Sequence, residues 1–269
     1  MFTVLINSFQ ARKSAHTSKT QVDRQRQRNP MKHLDLTLPS PAENLACDEA
    51  LLDWREENGG EEILRFWESP ETFVVVGYAN KITTEVNVEK CHAKQILALR
   101  RCSGGGTVLQ GAGCLNYALV LRIAEKSPLA NISSANKFIM ERNRVAIENL
   151  LKQSVEVRGH TDLAIDGLKF SGNSQRRKKN FLLFHGTFLL NFDLALIGEF
   201  LRMPSKQPDY RQSRNHDEFL TNLNLSADKV KAALKKSWNA IKELKHFPKS
   251  EIQKLAAQKY STDEWNLKF

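Results

Sequence analysis

Apolar residues recur along this chain in two rhythms. Over residues 33–38 they alternate with polar ones, the period of a half-buried strand. Over residues 41–57 Leu45, Ala46, Ala50, Leu51 and Trp54 fall on one side of a helix. Ser40 offers that helix an N-cap and Pro41 suits its first turn. Asn58-Gly59-Gly60 ends it. Residues 63–67 read as a strand, Ser69-Pro70 as a turn, and residues 73–77 as an apolar, β-branched strand of the kind found inside a sheet. Residues 86–95 read as a short helix. Leu97, Leu99 and Val108 are strand-like positions on either side of Ser103-Gly104-Gly105-Gly106, and residues 115–121 form a further apolar strand.

The longest helical pattern covers residues 133–151, with Ser133 or Ser134 as cap and Phe138, Ile139, Val145, Ala146, Asn149 and Leu150 as its core face. Residues 155–157 are a strand. Two apolar runs, 163–165 and 168–170, flank Asp166-Gly167, a strong hairpin signal. A strand over 181–190, a helix over 193–201 and a proline-containing loop over 203–213 follow. Two helical patterns close the chain, at about 226–244 and 248–259, and Val230, Leu234, Trp238, Ile241 and Leu244 line one face of the first. Strands alternating with helices, several of them joined by hairpins, predict an α/β protein of the α+β type, with helices packed on a mixed sheet. Residues 1–30 combine Ser, Thr, Gln and Arg and do not read as folded. They partly qualify as a transit peptide, but a mis-set start before Met31 is the preferred reading. The expected organisation is therefore an extension over 1–30 and one domain over 31–269, ending in a short helical segment from about 220.

Composition narrows the class. The chain has 269 residues, 41% of them hydrophobic, enough for a sizeable core. No run approaches the ~20 apolar residues that span a membrane, so a cytoplasmic protein without a membrane partner is expected. The formal charge is +10, and residues 1–30, with six Lys or Arg and one Asp, supply about half of the excess. Such a balance permits nucleic-acid binding, but no nucleic-acid motif accompanies it; nucleotide binding and docking on an acidic protein suit it equally. Cys47, Cys91, Cys102 and Cys114 form no CxxC pair and have no histidines at zinc spacing, so no dedicated metal cluster is expected. A reducing setting follows.

Two stretches carry candidate chemistry. Three consecutive glycines, 104–106, remove every Cβ from a turn, so a ligand can approach the backbone closely. Arg100 and Arg101 just upstream could pair with phosphate or carboxylate; equally, the stretch could be a hairpin tip with two solvated arginines. In the second stretch Lys169 lies early in a strand before the small residues Ser171 and Gly172. A lone strand lysine is usually solvated, but one bracketed by small residues and facing a glycine loop could hold an anionic intermediate. The basic run 176–179 reads as a solvated hairpin tip.

Together these stretches resemble the lipoate-protein ligase A family. RRxSGGGxV is matched from Arg100 to Val108. GxxDLxxxGxKxSGxxxxR is matched from Gly159 through Asp162, Leu163, Gly167, Lys169, Ser171 and Gly172 to Arg176, and HGT follows as His185-Gly186-Thr187. The upstream NLACDEALL (44–52) and LRFWESPETFVVVGYAN (64–80) also fit, so the likeness runs from about residue 33 to about 203. It implies a biotin/lipoate ligase (class II synthetase-like) catalytic domain with a largely antiparallel mixed sheet. It implies an ATP-dependent, two-step reaction with lipoate, ATP and Mg²⁺. Lipoate attacks the α-phosphorus of ATP, and the lipoyl-adenylate then passes its acyl group to a lysine of a lipoyl-carrier domain, of the 2-oxoacid dehydrogenase E2 or glycine cleavage H protein type. By resemblance Lys169 is the catalytic residue and touches both substrates. Arg101, Gly106, Thr107, Val108, Leu109 and Arg176 would hold ATP or the adenylate. Ser103, Gly104, Gly105 and His185 would meet lipoate, with His185 equally readable as an ordinary strand residue. Asp162 would hold Mg²⁺, orient Lys169, or be only a turn residue.

The sequence departs from the family in three places. Gln110-Gly111 stands where many members continue the first motif with HD. The segment after about 220 is short for the further C-terminal domain of the long ligases, so activation could need an accessory small subunit. Residues 150–190 contain no cysteine, which disfavours the acyl-thioester route of related octanoyltransferases. A lipoyl- or octanoyltransferase using a preformed donor stays as the alternative. A biotin-protein ligase and a non-catalytic binder of lipoyl domains rank below it.

Overall fold

The computed structural model describes residues 31–269; the expected extension over 1–30 lies outside the described residues. The chain opens with β1 (Lys32–Asp35) and α1 (Pro41–Asn58). Ser40 caps α1 through a capping box: its Oγ accepts from the Glu43 N–H, and the Glu43 carboxylate accepts from the Ser40 N–H. β2 (Ile63–Trp67) and β3 (Phe73–Val76) follow. Two short helices, α2 (Ile82–Glu85) and α3 (Val88–Ala93), replace the one predicted at 86–95. Next come β4 (Leu97–Arg100), β5 (Val108–Gln110), β6 (Cys114–Arg122), α4 (Ile132–Leu151), β7 (Glu156–Arg158), β8 (Asp162–Ile165), β9 (Leu168–Arg177) and β10 (Phe181–Leu189). The chain continues through α5 (Ala195–Phe200), α6 (His216–Phe219), α7 (Ala227–Trp238), β11 (Lys242–Glu243), α8 (Lys249–Leu255) and α9 (Asp263–Asn266).

Eight strands form one sheet in the order β11-β1-β2-β6-β10-β9-β8-β7. β1 runs parallel to both its neighbours, and the remaining pairs are antiparallel. β4, β3 and β5 form a second, small sheet. The mixed, mainly antiparallel architecture with packed helices matches the sequence expectation.

Both faces of the large sheet are covered, so its central strands bury apolar side chains on both sides. On β6 and β10, Ala118, Val120, Phe181 and Leu183 join the core under α1, whereas Tyr117, Leu119, Leu121, Leu182 and Phe184 join the core under α4 and α7. Each such buried aliphatic or aromatic side chain contributes about 1.5–3 kcal/mol.

Two helices differ from their sequence reading. Asn131, not a serine, caps α4, its Oδ1 accepting from the Ser134 N–H at 2.9 Å. The buried face of α4 is also rotated: Met140, Asn143 and Ile147 are inside and Val145 is 39% exposed. Asn143 can occupy the core because both ends of its amide are satisfied. Its Nδ2 donates to Tyr117 Oη and its Oδ1 accepts from Trp238 Nε1, each at 2.8 Å. α7 stops at Trp238 because Asn239 takes a left-handed conformation with φ 53°. Ile241, expected on the helix face, is therefore 72% exposed, and Leu244 reaches the core from the end of β11.

Candidate functional site

The α1-facing row of side chains changes character along the sheet. On β10 it reads Phe181, Leu183, His185, Thr187, and on β6 Val120, Ala118, Asn116. The polar end of this row lines a cavity of about 930 Å³. Asn116, Thr187, Gly172 and Asp162 are successive cross-strand partners over β6, β10, β9 and β8. Lys169 would face the other side of β9 if the strand were regular. A bulge prevents this: Leu163 pairs with Ser171 and Ala164 with Lys169, leaving Phe170 as the extra residue. Lys169 thus shares a face with Asp162. Its Nζ passes over Gly172 to Asp162 Oδ1 at 2.9 Å. A Cβ at Gly172 would lie 2.9 Å from that Nζ, which is why a glycine stands there. Asp162 Oδ2 accepts from Tyr210 Oη at 2.8 Å. Burial, with the Asp162 carboxylate beside it, pushes the Tyr210 hydroxyl pKa upward, so it stays a protonated donor.

The glycine loop lines the same cavity as Lys169. Arg101, 8% exposed, organises it from inside. Arg101 Nη2 donates to Gly104 O at 2.5 Å and Gly106 O at 2.8 Å, and its Nε donates to Ser103 Oγ at 3.1 Å. Burial pulls its pKa down to about 10, so it remains charged at neutral pH. Ser174 Oγ donates to Gly104 O at 2.8 Å and Asn80 Nδ2 to Gly105 O at 3.0 Å. Gly105 has φ 87°, which only glycine adopts freely. The loop carbonyls are thus turned onto protein donors. The N–H groups of Gly104, Gly105 and Gly106 make no hydrogen bond among the described residues. A donor-rich backbone of this kind suits an anion.

A third group lies beneath the loop. Ser103 Oγ is 2.5 Å from His185 Nε2, and His185 Nδ1 is 3.1 Å from Asp48 Oδ2. Asp48 Oδ1 meets Arg65 Nη1 at 2.5 Å in a fully enclosed ion pair. Burial by itself would raise the Asp48 pKa, but Arg65 and His185 outweigh it and hold the carboxyl below the ordinary range. Arg65 also donates to Asn44 Oδ1 at 2.7 Å and Leu36 O at 3.1 Å. Leu45, Trp67, Val75 and Val108, members of the α1-side core or packed on it, line the apolar part of the cavity.

The predicted residues are placed as follows. Lys169, Asp162, Arg101, Gly105, Gly106, Thr107, Val108, Leu109 and His185 all line the cavity. Ser103 is buried beneath the loop and Gly104 is exposed on it. Arg176 reaches the loop from behind, its Nη1 donating to Cys102 O at 3.2 Å. Arg100 corrects the sequence reading. It is fully buried and donates to the carbonyls of Gly77, Tyr78, Asn80, Trp265 and Asn266, so it cannot meet a phosphate. The basic run is not simply solvated: Arg177 donates to Leu129 O and Ala130 O, and Lys178 pairs with Asp53 at 2.6 Å.

Sequence reasoning missed Asp48, Arg65, Asn80 and Tyr210. Asp48 and Arg65 left a signal: one is an acid on the apolar side of α1, the other a base inside the otherwise apolar strand ILRFW. Charges in such places are rarely buried unless paired. Among the described residues no three metal-ligating side chains converge. Both Asp162 oxygens have partners, Oδ1 the Lys169 ammonium and Oδ2 the Tyr210 hydroxyl. All four cysteines are buried, and none lines the cavity. Burial pushes the Cys47 thiol up to about 11 and Cys102 to about 12, and raises Cys91 and Cys114 as well.

Residues 40–239 match the family model of the lipoyl protein ligase A/B catalytic domain. A relative named probable lipoate-protein ligase A, from Mycoplasma pneumoniae, is 31% identical over 88% of this chain and 71% of its own length. The octanoyltransferase LipM of Halalkalibacterium halodurans is 26% identical over 85% of this chain and 95% of its own. Among solved structures, the bipartite lipoate protein ligase of Thermoplasma acidophilum, described with its E2 lipoyl domain, superposes with a TM-score of 0.77. The match is 24% identical and covers 89% of this chain and 96% of that one. A lipoate-protein ligase A bound with ATP gives a TM-score of 0.71 at 24% identity, covering 89% and 98% of the two chains. On the family match and the Mycoplasma relative, the chain belongs to the lipoyl protein ligase A/B catalytic-domain family.

Proposed function

We propose that this chain is an ATP-dependent lipoate-protein ligase acting on lipoyl-carrier domains. The observation that carries the reading is the placement of Lys169. Paired with Asp162, its ammonium shares one cavity with apolar side chains and the donor-rich glycine loop. In the first step a lipoate carboxylate oxygen attacks the α-phosphorus of ATP. The bond from that phosphorus to the bridging oxygen breaks, and pyrophosphate leaves. Two anions must meet, and a compact cation between the carboxylate and the α-phosphate stabilises the charge that develops. Gly106, Thr107, Val108 and Leu109 keep the ATP role and Gly104, Gly105 and His185 the lipoate role given by resemblance, whereas Arg101, Ser103 and Arg176 act by holding the loop in shape. Any Mg²⁺ would arrive on the phosphates of ATP rather than on a protein cluster. In the second step the amine of a carrier lysine attacks the acyl carbon of the adenylate, an amide forms, and AMP leaves. Lys169 then stabilises the oxyanion and the departing phosphate. The four unpaired thiols are compatible with a reducing, cytoplasmic setting.

The second reading, transfer of an octanoyl or lipoyl group from a preformed donor, is favoured by the octanoyltransferase names among the relatives. It needs a nucleophile or a direct carrier-to-carrier handover, and the buried, high-pKa cysteines do not supply an accessible thiolate. Lipoate-dependent exchange of labelled pyrophosphate into ATP separates the two. Exchange that requires lipoate is the expected result. No exchange, combined with transfer from an octanoyl-thioester carrier, would overturn the ligase reading.

A further inference from the structure

Arg100 is the base in the first motif that cannot touch substrate, and its surroundings explain its presence. It lies at the end of β4, directly before Arg101 and the loop. Its guanidinium is fully buried, pairs with no carboxylate among the described residues and is met by neutral carbonyls from two separate segments. The first is the 77–80 turn: Nη1 donates to Gly77 O and Tyr78 O at 3.0 Å and to Asn80 O at 2.7 Å. The second is the C-terminal turn: Nη2 donates to Asn266 O at 2.9 Å and Nε to Trp265 O at 3.2 Å. The same turn also grips the backbone of Arg100. Asn266 Oδ1 accepts from its N–H at 2.9 Å, and Trp265 Nε1 donates to its carbonyl at 2.8 Å.

The 77–80 turn is the floor of the glycine loop. The Tyr78 N–H donates to Ser103 O at 2.8 Å, and Asn80 Nδ2 donates to Gly105 O at 3.0 Å. A Cβ at Gly77 would lie 2.0 Å from Gly105 O, so the two backbones are in direct contact. The C-terminal turn is itself anchored to α1. Asn266 Nδ2 donates to Tyr260 O at 2.9 Å, and Tyr260 Oη donates to Glu49 Oε2 at 2.8 Å. A continuous set of hydrogen bonds therefore runs from α1 through residues 260–266 and Arg100 to the loop.

We propose that Trp265 and Asn266 are positioning residues for the site. They clamp Arg100, and through the 77–80 turn they fix the glycine loop in its anion-accepting shape. The part of the inference that concerns turnover rests on the proposed ligase function; the part that concerns the loop does not. The test is amide hydrogen exchange on the full chain, comparing Asn266→Ala and Trp265→Phe with Ile252→Val, a buried change on α8 that lies outside the clamp. Exchange at the Tyr78 and Arg101 amides is expected to accelerate about tenfold in the two clamp variants, the size of losing one hydrogen bond. Amides at Leu119 and Leu183, deep in the sheet, should keep wild-type rates. Unchanged exchange at Tyr78 and Arg101 would overturn the clamp, and so would acceleration spread evenly over the sheet. Product formation is measured in parallel. A fall in kcat/KM in the clamp variants but not in Ile252→Val carries the clamp into catalysis. Loosened amides with unchanged turnover would overturn its catalytic role. A wild-type protein inactive with both lipoate plus ATP and synthetic lipoyl-adenylate would overturn the functional reading, while the exchange result still decides the clamp.

Discussion

Lys169 and Asp48 are the two residues on which the site turns, and they do different work. Lys169 is partly exposed and paired with Asp162, so removing it disturbs chemistry more than folding. Lys169→Ala is expected to lower product formation by about 10²–10³-fold, the range for losing one preorganised electrostatic donor. Its thermal unfolding should stay near wild type, since exposed and partly exposed pairs add ~0–1 kcal/mol. Asp48 is enclosed with Arg65, and leaving that guanidinium without its partner should cost about 3–5 kcal/mol. Asp48→Asn should therefore show a much lower denaturation midpoint in urea. The pH dependence has a definite sign. The Asp48 pKa is depressed in the folded protein by Arg65 and His185 against the opposing effect of burial. Its stabilisation is complete above the unfolded value of about 3.9 and is lost as pH falls through the lower folded value. Acid titration of the unfolding midpoint should show this loss in the wild type and not in Asp48→Asn.

At the scale of elements, the site depends on a bulge and a glycine rather than on more charge. The bulge at Phe170 turns Lys169 to the face of Asp162, and Gly172 leaves the path between them open. Gly172→Ala is expected to push the lysine off Asp162 and lower activity about tenfold or more. The methyl meets only the tip of a flexible side chain, so the change in melting temperature should be small. A fall in stability as large as the fall in activity would contradict this. Much of this level could be read from sequence. The hairpin at Asp166-Gly167, α1 with its serine cap and the glycine loop follow from local turn chemistry and periodicity. The bulge could not be read, because Phe170 fits the apolar alternation in either register. The end of α7 was missed because the apolar spacing continues to Ile241 and Leu244, and only the left-handed Asn239 breaks it. The links from Asp48 to His185 and from Tyr210 to Asp162 join residues far apart in sequence, and no local pattern encodes such a meeting.

For the whole molecule, the fold gathers most of the motif residues around one cavity and supplies what surrounds them. Sequence reading gave Arg100 and Arg101 one role, but the packing divides them, one holding the loop and the other tying it to the C-terminal turn. The net charge of +10 predicts how the protein meets an acidic carrier domain. Raising salt from about 50 to 300 mM, which shortens the Debye length, should raise KM for the carrier several-fold and leave KM for lipoate unchanged. Equal sensitivity of both would place the salt effect inside the site instead. No helix among the described residues is long and apolar enough to cross a membrane.

The most direct test of the central claim is intact-mass analysis of an apo lipoyl domain incubated with this protein, lipoate, Mg²⁺ and ATP. A parallel sample receives synthetic lipoyl-adenylate in place of lipoate and ATP, and both are repeated with Lys169→Ala. Both wild-type samples should show a lipoyl mass increment on the carrier, and Lys169→Ala should lose it. An increment only with the adenylate would contradict activation within this chain, and a Lys169→Ala protein that modified the carrier at the wild-type rate would contradict the assigned site.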